Sequence, residues 1–446
     1  MYYGLEPSIV RYVIRRVRKE KNLRQEDLSD NKMSYGTISN IERGVNNVDE
    51  SIVLRYLAKL MLTQKKLKAL VTEEQERIES LAFQLEYIES MFDHGKPKEA
   101  EKLLKQLSLE RYHPLAPYFT YLEGRNLQAK KQFKKAKKQY EFAIRLHNQY
   151  KLFYRGNIVS ICYNELSICS YTQNEIEKAL DYVEKGLAAC DENREGKEIK
   201  YPLMSNKILY LLNMYQYDAA KQILDELWTF IPQIRNIFTI LNIYKFRAII
   251  LRKMKMYTEA IDVCREGIDI ARRNQVQNRY LDLINVLGSI YLLQAQLEKA
   301  MQCFDMVANY DRDQHFPRNL IDALTYLAII HSHKKCWKDA EQSIEQALDI
   351  AKGNSHYRLS KVLIVRGDIL SAQNKFKEAI PFYQESEQIA EKNGFKRRQC
   401  TALLQLATCF GNMGLDSECS KCMVKLLNLK KELKLYSEDD IYAIDA

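Results

Sequence analysis

The sequence predicts an all-α protein, a small N-terminal helical domain followed by a long array of helical hairpins. Glycine (15) and proline (8) are scarce in 446 residues, too few for β architectures that need turn residues every few positions. A short pattern ending in alanine also recurs: Phe133-Lys-Lys-Ala136, Ile176-Glu-Lys-Ala179, Tyr217-Asp-Ala-Ala220, Tyr257-Thr-Glu-Ala260, Leu297-Glu-Lys-Ala300, Trp337-Lys-Asp-Ala340 and Phe376-Lys-Glu-Ala379. Pro97-Lys-Glu-Ala100 opens the series, Asp416-Ser-Glu-Cys419 closes it, and the spacings are 36, 43, 41, 40, 40, 40, 39 and 40 residues. The N-terminus lacks this period and is more basic. Residues 1–70 hold 14 Lys+Arg against 8 Asp+Glu, a net of +6, whereas the other 376 hold 54 against 50, a net of +4.

Along the chain, the first helix is predicted over Ser8 to Lys21, with Val10, Val13, Ile14 and Val17 as its buried stripe and Arg11, Arg15 and Lys19 elsewhere on its surface. Gln25 to Gly44 reads as two short helices joined by a tight turn. Gln25, Glu26, Asp27 and Leu28 suit a first turn, because acidic side chains complement the unpaired N–H groups there, and Ser34 caps the second helix. Leu28, Met33, Ile38 and Ile41 are spaced to share one small core, which leaves Tyr35, Gly36, Thr37, Ser39 and Asn40 pointing outward. A short helix anchored on one side and small and polar on the other has the shape that enters a DNA major groove. After Gly44, a helix C-cap, Asn46 to Asp49 form a loop and an N-cap, and Ile52, Leu54, Tyr56, Leu57, Leu60 and Met61 close the domain.

The opening Gln25-Glu-Asp-Leu28 and the close Thr37-Ile-Ser-Asn-Ile-Glu-Arg-Gly44 resemble the Xre/Cro-like helix-turn-helix family over roughly residues 8 to 62. The segment is one residue shorter than that pattern and lacks its turn glycine, with Asn31-Lys32-Met33 in its place. This shortened turn is similar to that of the RRNPP family of peptide-responsive regulators. The helix-turn-helix resemblance implies that Thr37, Ser39, Asn40 and Tyr35 touch bases or nearby phosphates. Gln25, Arg24, Lys19, Arg43 and Asn47 would hold the DNA backbone. It also implies a structural ion pair between Arg18 and Glu42.

Thr72 to Met91 reads as a linker helix running into the repeats. The domains are therefore set at 1–68 for the helix-turn-helix, 69–80 for the linker and 81–446 for the array. Twelve residues before the repeated alanine stands a small residue (Gly124, Ala248, Gly288, Ala328, Gly367, Ala407), and four after it a bulky one (Tyr140, Leu224, Phe304, Ile344, Tyr383). In this register the array resembles the tetratricopeptide repeat in a form of about 40 residues. The fold expected is a right-handed superhelix of about nine hairpins, its last helix, near Val424 to Leu435, a cap with a polar outer face.

Such a superhelix lines its concave face with the first helix of each pair, a groove suited to an extended peptide. An extended peptide brings unpaired N–H and C=O groups, and Asn both donates and accepts. The inward positions hold Asn164, Asn206, Asn242 and Asn285, one in each of four consecutive repeats, with Lys245, Arg252, Asp282, Asp322, Tyr326 and Asp368 at further inward positions. Asn is common on any solvated helix face, so the weight rests on the recurrence. The RRNPP resemblance implies that these Asn side chains hold the backbone of a short signalling peptide, and the mixed charge suits a peptide with both signs or a free carboxylate.

Other chemistry has little footing. There is no Gly-rich phosphate loop, metal-spaced His cluster or nucleophile motif, so no enzyme activity and no cofactor is expected; His331 and His333 lie two apart on a helix and cannot face the same way. Six of ten cysteines are scattered singly between Cys162 and Cys336 as core thiols. Cys400, Cys409, Cys419 and Cys422 cluster, but two fall on packing positions and no loop separates the pairs, so packing fits better than zinc. No stretch approaches the roughly 18 apolar residues needed to span a bilayer, and a cytoplasmic location is expected. The combined expectation is a homodimeric or higher oligomeric quorum-sensing regulator that binds a peptide and a double-stranded operator. The alternative is a repeat adaptor, Rap-like, that binds a phosphorelay protein under peptide control.

Overall fold

In the computed structural model, residues 5–44, 48–150, 156–311 and 315–433 are described. Among the described residues 81% are helical, in 21 α-helices and three short 3-10 turns, and none lies in a strand. Helices α1 (Pro7–Glu20), α2 (Tyr35–Arg43) and α3 (Glu50–Lys59) come first. Nine successive pairs follow: α4 (Gln64–Asp93) and α5 (Pro97–Leu104), α6 (Ala116–Ala129) and α7 (Phe133–Tyr150), α8 (Ile158–Thr172) and α9 (Ile176–Ala188), α10 (Lys200–Asn213) and α11 (Tyr217–Thr229), α12 (Ile237–Lys253) and α13 (Tyr257–Arg273), α14 (Gln277–Leu293) and α15 (Leu297–Tyr310), α16 (Pro317–His333) and α17 (Trp337–Asn354), α18 (His356–Ala372) and α19 (Phe376–Asn393), and α20 (Lys396–Asn412) and α21 (Asp416–Leu433). The chain divides into two compact units, Met1–Tyr210 and Leu211–Ala446.

The sequence period maps onto one structural position. Each repeated alanine, and Cys419, is the fourth residue of the second helix of its pair, and the eight alanines are fully buried. The small and bulky positions pack on each other within a repeat. A Cβ on Gly367 would lie 2.5 Å from the Tyr383 ring, one on Gly288 would lie 2.8 Å from Phe304, and Gly124 abuts Tyr140 in the same way. Where the bulky residue is aromatic the small one is glycine; where it is Cys264 or Ile344 the small one is Ala248 or Ala328. In the three Gly–aromatic pairs the absent Cβ makes room for the ring, as close-packed interiors require; Leu224, whose counterpart is Ile208, does not follow the pattern.

A second regularity sits in the turns. Five residues before the repeated alanine, the backbone adopts positive φ in all nine pairs: Gly95, Lys131, Asn174, Tyr215, Lys255, Ala295, Lys335, Asn374 and Gly414. Glycine takes this left-handed conformation freely, and other residues are strained in it. Changing exposed Lys255, Ala295 and Lys335 to glycine is expected to stabilise the Leu211–Ala446 unit by about 0.5–1 kcal/mol per site. The thermal midpoint of each variant checks this, and a lowered midpoint would show that the turns are unstrained.

In the first unit, one hydrophobic core runs from Val10, Val13 and Ile14 of α1 through Leu67, Val71 and Ile78 of α4 to Tyr140 of α7 and Cys169 of α8. Residues 69–80, expected to be a linker, lie within the single 30-residue helix α4. At the far end, α21 departs from the expected polar outer face. Met423, Val424 and Leu427 are exposed there, and Leu426 is its fully buried residue. The cysteines between Cys162 and Cys336 are not uniformly core either. Cys162, Cys169 and Cys264 are buried, whereas Cys336 is exposed, at the N-cap of α17.

Candidate functional site

The helix-turn-helix region is built around α2. The Ser34 side chain accepts the Thr37 N–H at 3.1 Å, fixing the start of α2, and Gly44 ends it at φ 66°. Ile38 and Ile41 bury one face against Val13, Ile14, Leu28, Met33 and Tyr56. On the other face Tyr35 is 61% exposed, and Thr37, Ser39, Asn40 and Arg43 are half-exposed. Asn47 lies outside the described residues.

The first of the two expected short helices does not form. Glu26–Leu28 is a single 3-10 turn, and the chain then closes on itself through paired backbone hydrogen bonds between Asp30 and Met33. Asp30 drives this. Its carboxylate accepts the Lys32 N–H at 2.9 Å, a local bond that competes with helix, and it is held by Arg55 at 2.8 Å and Lys59 at 2.6 Å.

Behind α2 lies a buried carboxylate. Glu42 accepts from Arg18 Nε at 2.6 Å and Nη2 at 3.0 Å, from the Tyr56 hydroxyl at 2.6 Å and from Gln25 Nε2 at 2.8 Å. Burial alone would raise its pKa, but the bonds from Arg18 and Tyr56 outweigh it and hold the carboxyl below its ordinary value. The Gln25 amide, expected on the DNA backbone, is therefore already bonded inside the domain. Arg24 is exposed and pairs with Asp27 at 3.3 Å.

Two basic residues of α1 that were placed on its free surface, Arg11 and Arg15, are covered instead, whereas Lys19 stays exposed beside the repeat segment. Arg11 is buried and reaches the Tyr150 carbonyl; Arg15 lies 4.1 Å over the Tyr112 ring; Lys19 lies 4.5 Å over the same ring and 3.7 Å from Glu110. The neighbouring Arg16 pairs with buried Glu74 of α4. The physical reason is tertiary: the segment Glu110–His113 before α6 packs its rings on this face of α1, with His113 edge-on to Tyr12 at 4.8 Å. Lys19 thus lies beside the repeats while its side chain stays 47% exposed.

His113 gives this contact a pH dependence. Its Nδ1 accepts the Leu115 N–H at 3.1 Å, so that nitrogen is unprotonated, and burial pushes the imidazole down to about 4 against the opposing pull of Glu110. Between pH 4 and about 6.5 the unfolded chain binds a proton here that the folded chain does not, so stability rises with pH across that window. The first unit is expected to lose about 1–3 kcal/mol as the pH falls from 6.5 to 4. Urea titrations across that range check it, and His113→Asn should flatten this part of the profile.

The expected peptide residues lie on first helices of the pairs. In the first unit, Asn206 donates to Asn164 at 2.9 Å, and Asn164 donates to Glu165 at 3.3 Å. In the second, Asn242, Lys245 and Arg252 lie on α12, Asp282 and Asn285 on α14, and Asp322 and Tyr326 on α16. Most are bonded to the next repeat. Lys245 Nζ is 3.7 Å from Asp282; Asn319 of α16 donates to Asp282 at 2.7 Å; Asn285 donates to the Asn319 carbonyl at 2.9 Å; Arg358 of α18 donates to Asp322 at 2.8 and 3.0 Å.

Asn164, Lys245, Arg252, Asn285, Asp322 and Tyr326 are all buried, and Tyr326 and Arg252 are packed between helices. Tyr326 is fully buried, stacked on Phe304 at 4.9 Å, with its hydroxyl accepting from Lys361 at 3.0 Å. Arg252 is buried and donates to Ser289 Oγ at 2.5 Å. Their register positions fall between successive helices, so neither presents an open surface. Asp368, also read as inward, is spent on the Tyr383 hydroxyl at 2.7 Å.

Sequence reasoning missed Arg279, Asn319 and Arg358, which complete the ladder. They form a column 21 residues before the repeated alanine, three residues ahead of the Asn242, Asp282, Asp322 and Lys361 column. Residues three apart share a helix face, so reading both columns together was the available signal.

The helix-turn-helix sequence profile matches residues 14–61 and the tetratricopeptide repeat profile residues 319–392; that of anaphase-promoting complex subunit 5 matches 211–296. No curated protein matches the sequence. Among solved structures, the chain is similar to a Rap protein complexed with competence and sporulation factor, at 13% identity and TM-score 0.60 over 80% of this chain and 99% of that one. It is similar to the apo form of the quorum sensor NprR from B. thuringiensis, at 15% identity and TM-score 0.57 over 79% and 99%. A complex of NprR with its cognate peptide NprX gives 16% identity and TM-score 0.53 over 79% and 99%. The chain thus joins a helix-turn-helix to a tetratricopeptide array and, over about four fifths of its length, has the fold of the Rap and NprR structures.

Proposed function

We propose that the protein is a peptide-responsive transcription regulator of the RRNPP kind. The observation that carries this is the α2 face: a capped, anchored helix with Tyr35, Thr37, Ser39 and Asn40 outward, on a chain whose remainder has the fold of peptide-bound NprR. In this reading those four side chains meet base edges and adjacent phosphates, and Arg24, Arg43 and Asn47 follow the backbone. Two copies of the chain engage half-sites about one DNA turn apart. A short extended peptide binds the first helices of the repeats, and its preference for one arrangement of them shifts the position of the heads. The protein acts in the cytoplasm, where an imported peptide would meet it.

The test is binding to DNA from upstream of its own gene. The full chain should shift this fragment with an affinity that falls steeply with salt. A Thr37→Ala, Asn40→Ala double variant should lose about 10–100-fold. Unchanged binding by the double variant would mean that α2 is not the reading helix.

One observation favours a second reading. Arg11, Arg15 and Arg16 are engaged by the segments that follow the helix-turn-helix, which leaves fewer cations to hold phosphate. A Rap-like adaptor that binds a phosphorelay protein fits that geometry, and salt-independent or absent promoter binding would support it.

A further inference from the structure

The polar ladder of the second unit is unbalanced at one rung. Arg358 meets an acidic partner on the preceding first helix, Asp322. The residue in the corresponding place for Arg279 is the neutral Asn242, and Arg279 instead turns back to Asp282 on its own helix at 2.9 Å. Asp282 also faces Lys245 at 3.7 Å, and exposed Arg318 is within electrostatic reach of both. Three cations therefore surround one carboxylate, an excess of two positive charges, and the Arg358–Asp322 pair beside them is neutral and leaves it unchanged.

Two polar atoms at this rung lack partners. Asn285 is only 2% exposed, and its Nδ2 must face the Asn319 carbonyl, since two acceptors cannot bond. Its Oδ1 is thereby left without a donor, and the Nε of half-buried Arg279 is left without an acceptor. Buried groups of this kind cost free energy unless something satisfies them. An acceptor awaiting an N–H, close to donors and surplus positive charge, matches an amide followed by a carboxylate.

We propose that the Lys245, Arg279, Asp282, Asn285 and Arg318 cluster captures a carboxylate of the bound peptide, with Asn285 Oδ1 taking a peptide N–H and Arg279, Arg318 and Lys245 the anion. Resting on the peptide-sensing reading, this adds the ligand's chemistry. The carboxylate is either the chain terminus or an acidic side chain.

Three pools of synthetic heptapeptides, presented to the full chain, separate the cases: free acids lacking Asp and Glu, carboxamides lacking Asp and Glu, and carboxamides containing them. Retention of the first pool over the second assigns the site to the C-terminus, and retention of the third over the second assigns it to an acidic side chain. Equal retention of all three overturns the carboxylate assignment and leaves peptide sensing standing. Retention of none overturns both. Arg279→Gln and Arg318→Gln, each checked by its thermal midpoint, should each lower affinity for the preferred pool about tenfold and erase the preference; if neither does so while both remain folded, the cluster is not the site.

Discussion

Glu42→Ala is expected to destabilise the helix-turn-helix by about 3–5 kcal/mol, because it strands a buried cation rather than deleting a surface pair. Arg18 loses both of its bonds to that carboxylate, and the Tyr56 hydroxyl and Gln25 amide lose their acceptor. Tyr56 is fully buried and has no route to water. Hydrogen exchange should show α1, α2 and α3 losing protection while α12 to α19 keep theirs. Full protection in the variant would mean that Arg18 finds water or another partner. Acid gives the same result by another path. The depressed carboxyl contributes stability that is present above its unfolded pKa, near 4.5, and lost as pH falls below it. That loss therefore begins as the His113 window closes.

Asp282→Ala should have a comparable effect on the second unit, about 3–5 kcal/mol, for the same reason. Lys245 would then be buried with Arg279 and Arg318 nearby and no counter-charge. Burial already draws the Lys245 ammonium down to about 8, with Asp282 opposing the shift. Adding Lys245→Met to Asp282→Ala should recover most of the loss, since it removes the stranded charge and keeps the volume. Thermal melts of the two variants decide it. If the single variant melts like the parent protein, Asp282 is not what compensates the cluster.

Both sites show where sequence reading succeeds and where it stops. The Arg18–Glu42 pair was legible because a motif places Glu42 at a known point of a known helix. Tyr56 and Gln25, which complete the coordination of Glu42, come from other segments and carry no local mark. In the array, the alanine period was legible because every repeat presents the same contact to its neighbour. The positive-φ turn position was only partly so. Gly95, Asn174, Asn374 and Gly414 signal it, whereas Lys131, Tyr215, Lys255, Ala295 and Lys335 give no hint.

The helical class, the ends of α1 to within a residue, the repeat length and the outward face of α2 were determined by the sequence alone, since each follows from contacts local to one helix or repeated at one interval; α4 and α21 each begin eight residues before the starts read from sequence. Only the tertiary structure decided that Arg11 is buried against the Tyr150 carbonyl and Arg15 lies over the Tyr112 ring, and that Tyr326 and Arg252 are interior. It also decided that Asp282 is shared by Lys245, Arg279 and Asn319. A helical pattern tells which face of a helix is apolar, but a charged side chain can be covered by a segment a hundred residues away, and nothing in the period of its own helix records that partner.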